Sequence, residues 1–112
     1  YKYAALNVRA SDGAVLGNTV TGGTAFGIDQ VTDLKVDANQ NIYITGSALD
    51  MSAMYDIRTI KLDTALNILW SHSYDGGTGA NDFGSGVTID QSGNVIVCGT
   101  SQTSSNGTNY VV

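Results

Sequence analysis

The twelve residues Val36-Asp37-Ala38-Asn39-Gln40-Asn41-Ile42-Tyr43-Ile44-Thr45-Gly46-Ser47 return 53 positions later as Ile89-Asp90-Gln91-Ser92-Gly93-Asn94-Val95-Ile96-Val97-Cys98-Gly99-Thr100. Each copy opens a short polar segment with an aspartate, continues into β-branched and apolar residues, and closes on glycine plus a hydroxyl residue. The segment Asp90–Asn94 offers Gly93 and Asn94, which tolerate the positive φ of a tight turn, and Asp37–Asn41 offers Asn39 and Asn41 for the same geometry. Each copy therefore predicts a β-hairpin, the second built from Val87-Thr88-Ile89 and Val95-Ile96-Val97-Cys98.

Outward from the hairpins, the repetition continues. Tyr1, Tyr55 and Tyr110 fall 54 and 55 residues apart, Gly22-Gly23-Thr24 returns as Gly76-Gly77-Thr78, and Asp29 matches Asp82. The chain divides into repeat 1 over 1–54, repeat 2 over 55–109, and the opening of a third at 110–112. In repeat 2, Tyr55 to Asp63 alternates Tyr55, Ile57, Thr59 and Lys61 against Asp56, Arg58, Ile60 and Leu62, and Ile68 to Tyr74 supplies a further strand. Four short strands every ~50 residues predict an all-β fold of β-propeller-type blades, two four-stranded antiparallel repeats. A four-stranded sheet cannot bury both faces alone, and a ring takes typically about four to eight blades. The two repeats are thus expected to need further blades or self-association to close. Tyr1 already stands in a strand-like stretch with no leader-like segment ahead of it, which leads us to expect a removed leader or a longer parent chain.

Composition agrees with this reading. Of 112 residues, 45 are Ser, Thr, Asn or Gly, all ten acids are Asp, and there is neither Glu nor Pro. These residues compete with helical hydrogen bonding or raise its entropic cost, so a helical bundle is excluded. Only 13% of residues are charged, against about 25% in an average soluble domain. The net charge of -5 lacks any basic cluster, which argues against nucleic acid and an anionic membrane surface as partners. The apolar runs are far short of the roughly 18 residues of a membrane span, so no membrane insertion is expected. Cys98 is the single cysteine, so neither an internal disulfide nor a cysteine-based zinc site is available.

The order Tyr55-Asp56-Ile57-Arg58-Thr59-Ile60-Lys61-Leu62-Asp63, Ile68-Leu69-Trp70 and Tyr74-Asp75-Gly76, followed by Asp90, Gly93-Asn94, Val95-Ile96-Val97 and Gly99-Thr100, resembles the bacterial beta-propeller repeat family abbreviated SBBP. The resemblance covers both repeats and implies a secreted or cell-surface bacterial protein with blades in tandem. It brings no shared catalytic residues. Repeat 1 departs from the pattern where Gly17 stands at the Trp70 position and Gln40-Asn41 replaces the Gly-Asn turn.

Candidate sites are few. Asp37-x-Asn39-x-Asn41 has the oxygen spacing that opens a calcium loop, echoed more weakly by Asp90-x-Ser92-x-Asn94, but the later bidentate Glu of such loops is absent. Asp and Asn also cap their own turns, and that reading is preferred, with no cofactor required. His72, the single histidine, shares a strand face with Trp70 and Tyr74, while Ser71 and Ser73 point the other way, so no Ser-His-Asp triad assembles locally. Gly84-Ser85-Gly86 is too short for a nucleophile elbow. Asp29 and Asp82 could form a glycosidase pair, yet their recurrence at equivalent positions favours turn hydrogen bonding. Cys98, aligned with Thr45, reads as a buried inert thiol, and Trp70 as a packing residue, as do Tyr1, Tyr55 and Tyr110. Trp70, Tyr74 and Tyr43 could alternatively stack on sugars. Asn106-Gly107-Thr108 is a glycosylation sequon at Asn106.

No catalytic set emerges, so the expected role is non-enzymatic: an extracellular binding or adhesion scaffold at the cell surface. Its expected partners are itself, neighbouring blades, or a surface glycan or protein ligand. The alternative is a subunit that assembles head-to-tail into an extracellular fibre.

Overall fold

The computed structural model describes residues 2–23, 27–77, 79–103 and 107–112. Among these the chain is all-β: β1 (Tyr3–Val8), β2 (Val15–Thr21), β3 (Gln30–Val36), β4 (Ile42–Leu49), β5 (Tyr55–Leu62), β6 (Ile68–Tyr74), β7 (Asp82–Ile89), β8 (Val95–Gln102) and β9 (Thr108–Val111). They pair antiparallel in three sheets, β1-β2, β3-β4-β5-β6 and β7-β8-β9. The sheets are open and close no barrel, as blades would be. Among the described residues no helix is long and apolar enough to cross a membrane.

Each repeat supplies four strands, but the sheets are staggered against the repeats by half a unit. The central sheet takes β3 and β4 from repeat 1 and β5 and β6 from repeat 2. What joins them is an unbroken ladder running from Ile42 opposite Leu62 to Leu49 opposite Tyr55. The strand irregularities recur with the repeat: register shifts at Asn7/Val8 and Lys61/Leu62, and again at Val31/Asp33 and Gly84/Gly86. At the second pair, the bulge drives one strand's backbone toward its neighbour. A Cβ on Gly46 would strike the Gln30 carbonyl, and one on Gly99 the equivalent Phe83 carbonyl. This is why each of these strands places glycine before Ser47 or Thr100. The register also refines the Gly-Gly-Thr match. Tyr3 pairs with Thr21 and Ile57 with Tyr74, so Gly23, not Gly22, stands where Gly76 does.

Four hairpin loops share one design. The Oδ1 atoms of Asp37, Asp63 and Asp90 accept the amides two and four residues on, and their Oδ2 atoms accept the side-chain amides of Asn41, Asn67 and Asn94. Asp50 does the same toward Ser52 and Met54 through Oδ1. The residue before the loop's end takes positive φ in each case: 64° at Gln40, 63° at Ala53, 65° at Leu66 and 84° at Gly93. In the first hairpin the left-handed residue is therefore Gln40 and neither Asn39 nor Asn41 as expected, because Asn41 is held by Asp37. The geometry is a turn followed by one left-handed residue, which reverses the chain without splaying the strands. Donors from the partner side chains, Asn41, Asn67 and Asn94 above all, hold the carboxyls of Asp37, Asp63 and Asp90 below their ordinary pKa.

The core lies between the first and central sheets. One face of the central sheet turns Ile44, Ile60 and Leu62 toward Tyr3, with Leu66 from the β5–β6 loop and the flanking Ala5 and Ile42. Burial drives the Tyr3 hydroxyl above its ordinary pKa range. Gly17 proves necessary where repeat 2 has Trp70: a Cβ there would stand 2.8 Å from the Ala65 carbonyl oxygen. The opposite face of the central sheet receives β7. Thr32, turned out by its bulge, donates from Oγ1 to the Gly84 carbonyl at 2.8 Å. The Val87 amide donates to Asp33 Oδ2 at 3.0 Å. The three sheets are therefore a stack, face to face.

Candidate functional site

Strand alternation and the splay of the stack create one apolar groove. β7 lies close on the inner strands of the central sheet, but β8 and β9 diverge from β6. Ile57, Thr59, Trp70, His72 and Tyr74 line one wall, and Val95, Val97, Val111 and Val112 the other, around a cavity of about 490 Å³. Trp70, His72 and Tyr74 share a face as their spacing predicts. Ser73 falls on the reverse side, beside Asp50 and Asp56. Trp70 is not a core residue: it is 39% exposed, its ring 6.1 Å from that of buried Tyr43. Sheet splay at the outer strand, unreadable from local sequence, uncovers it. Tyr43 donates to Asp37 Oδ2 at 3.0 Å, and the Lys61 ammonium stands 5.1 Å above its ring.

The second feature lies where β6 passes to β7. One carboxylate oxygen each from Asp56, Asp75 and Asp82 lie within 4.8 Å of one another. Asp82 is 1% exposed; its Oδ2 accepts the Gly76 amide at 2.6 Å, and its Oδ1 is buried without a hydrogen-bond partner. Burial, reinforced by the charges of Asp50, Asp75 and Asp82, pushes Asp56 up to about 6. The equivalent junction in repeat 1 is fully satisfied: Asp29 accepts the Gly23 amide at 2.8 Å through Oδ2 and the Leu49 amide at 2.9 Å through Oδ1. Asp29 and Asp82 thus serve separate junctions, and each binds the backbone of its own preceding loop. The sequence offers Asp75 only as the acid of a Ser-His-Asp triad and Asp56 only as part of a strand; it does not bring the two together with Asp82, although Asp56 replaces Lys2 of repeat 1.

The remaining candidates fall as follows. In the Asp37, Asn39 and Asn41 loop, both Asp37 oxygens face N–H or O–H donors: the amides of Asn39 and Asn41, the Asn41 side chain and the Tyr43 hydroxyl. Those donors point hydrogens where a calcium ion would need free lone pairs, so the carboxylate is spent on the turn. Cys98 is exposed, contrary to the buried thiol expected from its alignment with Thr45. Thr45 is covered because the third sheet lies over its face, whereas no described residue covers the same face of β8. Tyr55 packs on Phe83 with centroids 5.7 Å apart, but Tyr110 is 92% exposed. Tyr1, Thr24, Thr78 and the sequon residue Asn106 lie outside the described residues. No protein-family model matches the chain, and no curated protein matches it either.

Proposed function

We propose that the chain is a non-enzymatic β-propeller-type repeat module of the SBBP kind, secreted or displayed at a cell surface, acting as a binding or adhesion scaffold. Its units are 1–54, 55–109 and the opening of a third at 110–112. The observation that carries the binding role is the groove: Trp70, His72 and Tyr74 in a row on one outer strand, facing a wall of valines. Such a row offers ring faces to a sugar or an apolar side chain, with the imidazole as a polar handle. Trp70 is the single tryptophan, so its emission reports the groove directly. Titration with a panel of surface oligosaccharides and apolar peptides is expected to give a saturable emission shift that Tyr74→Ala abolishes. A flat response across the panel sinks the binding role.

One observation favours the fibre alternative. The face of the first sheet turned away from the core exposes Leu6 and Val20, at 61% and 68%, while the third sheet leaves the Cys98 face of β8 open at the other end of the stack. Two different open faces at opposite ends suit a heterologous, head-to-tail contact. Light scattering and electron microscopy over a wide concentration range distinguish filaments from discrete particles, and discrete particles alone exclude the fibre.

A further inference from the structure

The two repeats build the same junction with opposite electrostatics. At the first, Lys2 Nζ stands 3.8 Å from Asp29 Oδ2 and donates to the Gly23 carbonyl at 2.7 Å. One carboxylate thus meets one ammonium, and the first sheet is tied to the central one. At the second junction the strand register puts Asp56 in the place of Lys2, Asp75 in that of Gly22 and Asp82 in that of Asp29. The ammonium is gone and two carboxylates have been added. Among the described residues the ion pairs are Lys2–Asp29, Arg9–Asp12 and Lys35–Asp33, so no lysine or arginine neutralises this group, Arg58 included.

Three anions gathered at a partly buried junction repel one another unless a cation joins them. The buried, unpartnered Oδ1 belongs to Asp82, the one buried carboxylate of this group. We propose that Asp56, Asp75 and Asp82 form a calcium site that clamps the central sheet to the third, an ion doing at this junction what Lys2 does at the first. The ligands are hard oxygens, as calcium and magnesium require. Calcium, whose opposed ligands stand about 5 Å apart, can reach all three oxygens, which lie within 4.8 Å of one another, and it gives up its waters more readily than magnesium. Exposed Asp75 leaves one side of the ion to solvent, where water completes the shell.

The test uses the whole 112-residue chain in chelator-treated buffer, with calcium chloride titrated by calorimetry and thermal unfolding followed with and without the ion. One calcium per chain and a raised melting temperature are expected. Asp75→Asn, at an exposed position that the fold tolerates, is expected to weaken binding at least about tenfold. Asp56→Lys copies the first junction: it is expected to melt higher than the parent without calcium and to lose the response to it. Asp37→Asn must keep the response, because its loop is not the site. The proposal is overturned if the parent shows no calcium heat and no melting shift, if Asp56→Lys and Asp75→Asn respond like the parent, or if Asp37→Asn loses the response. An equal response to magnesium chloride overturns the choice of ion.

Discussion

Val87 and Asp33, 54 residues apart in sequence, join the third sheet to the central one through an amide-to-carboxylate hydrogen bond of 3.0 Å. The bond joins β3 and β7, each irregular in register at this point, at Val31/Asp33 and Gly84/Gly86. That amide is the leading reason why the Asp33 carboxyl sits below its ordinary pKa. Asp33→Ala is expected to loosen β7 to β9 before the rest of the fold. Hydrogen exchange should show faster exchange at Val87 and along β7, with β4 and β5 still protected. Uniform exchange across all three sheets would contradict it.

The hairpin loops predict a reciprocal pair of backbone effects. Gly93 holds a φ of 84°, and Gln40 holds 64° at the equivalent place. Left-handed geometry costs a residue with a Cβ roughly 1–2 kcal/mol. Gly93→Ala is expected to destabilise by about 1 kcal/mol, and Gln40→Gly to stabilise by somewhat less, since glycine also gives up more chain entropy. Urea unfolding midpoints of the two variants should move in opposite directions.

Acid should unfold the chain through the same loops. The carboxyls of Asp37, Asp63 and Asp90 titrate below their ordinary 3.8 when folded. Folding therefore favours their charged forms, a contribution complete above 3.8 and lost as pH falls through their lowered folded values. Asp56, raised to about 6, acts in the opposite sense and is already protonated before that window. Thermal melts in chelator-treated buffer are expected to fall steeply below about pH 4, where unfolded aspartates take up protons. Asp63→Asn should flatten that fall, and an unchanged slope would count against the turn carboxylates.

The core predicts the largest single loss. Leu62 is fully buried among Tyr3, Ile44, Ile60 and Leu66. Leu62→Ala is expected to cost about 2–5 kcal/mol, the range for a leucine truncated in a packed interior. Leu69→Ala, at a half-exposed position on β6, serves as the control and should change the unfolding midpoint little.

Cys98 offers a probe of association. Its thiol is exposed on the open face of β8, so a disulfide reagent should label the native chain stoichiometrically at low concentration. If copies stack through that face, labelling slows as the concentration rises. Concentration-independent labelling would place any contact elsewhere.

What the sequence made legible was local. The hairpins at Asp37 and Asp90 could be read because an aspartate and an asparagine four residues apart close a turn with their own side chains. The same spacing at Asp63 and Asn67 closes another such turn, though Asp63 also reads as the last residue of the strand from Tyr55. The pairing of β4 with β5 was hidden, since its loop, Asp50-Met51-Ser52-Ala53-Met54, keeps the leading aspartate and none of the asparagine or glycine that mark the others. Trp70 and Cys98 were misplaced for a different reason. Their exposure depends on which face another sheet covers, and that is settled by stacking and splay, not by neighbours in the chain. The carboxylates of Asp56, Asp75 and Asp82 come from two sheets and the link between them, so only a comparison of repeats position by position, Lys2 against Asp56, could have flagged them.

The half-unit stagger lays the chain in running bond, like brickwork with no straight seam. A nick in the Asp50–Met54 loop falls between the repeats, yet the eight residue pairs from Ile42–Leu62 to Leu49–Tyr55 bridge it. The two pieces then hold each other as complementary fragments, each supplying half of the sheet that neither can form alone. Severing the same chain between β6 and β7 cuts inside a repeat but through no ladder at all. The seam along which the protein comes apart is therefore not the one its repetition draws.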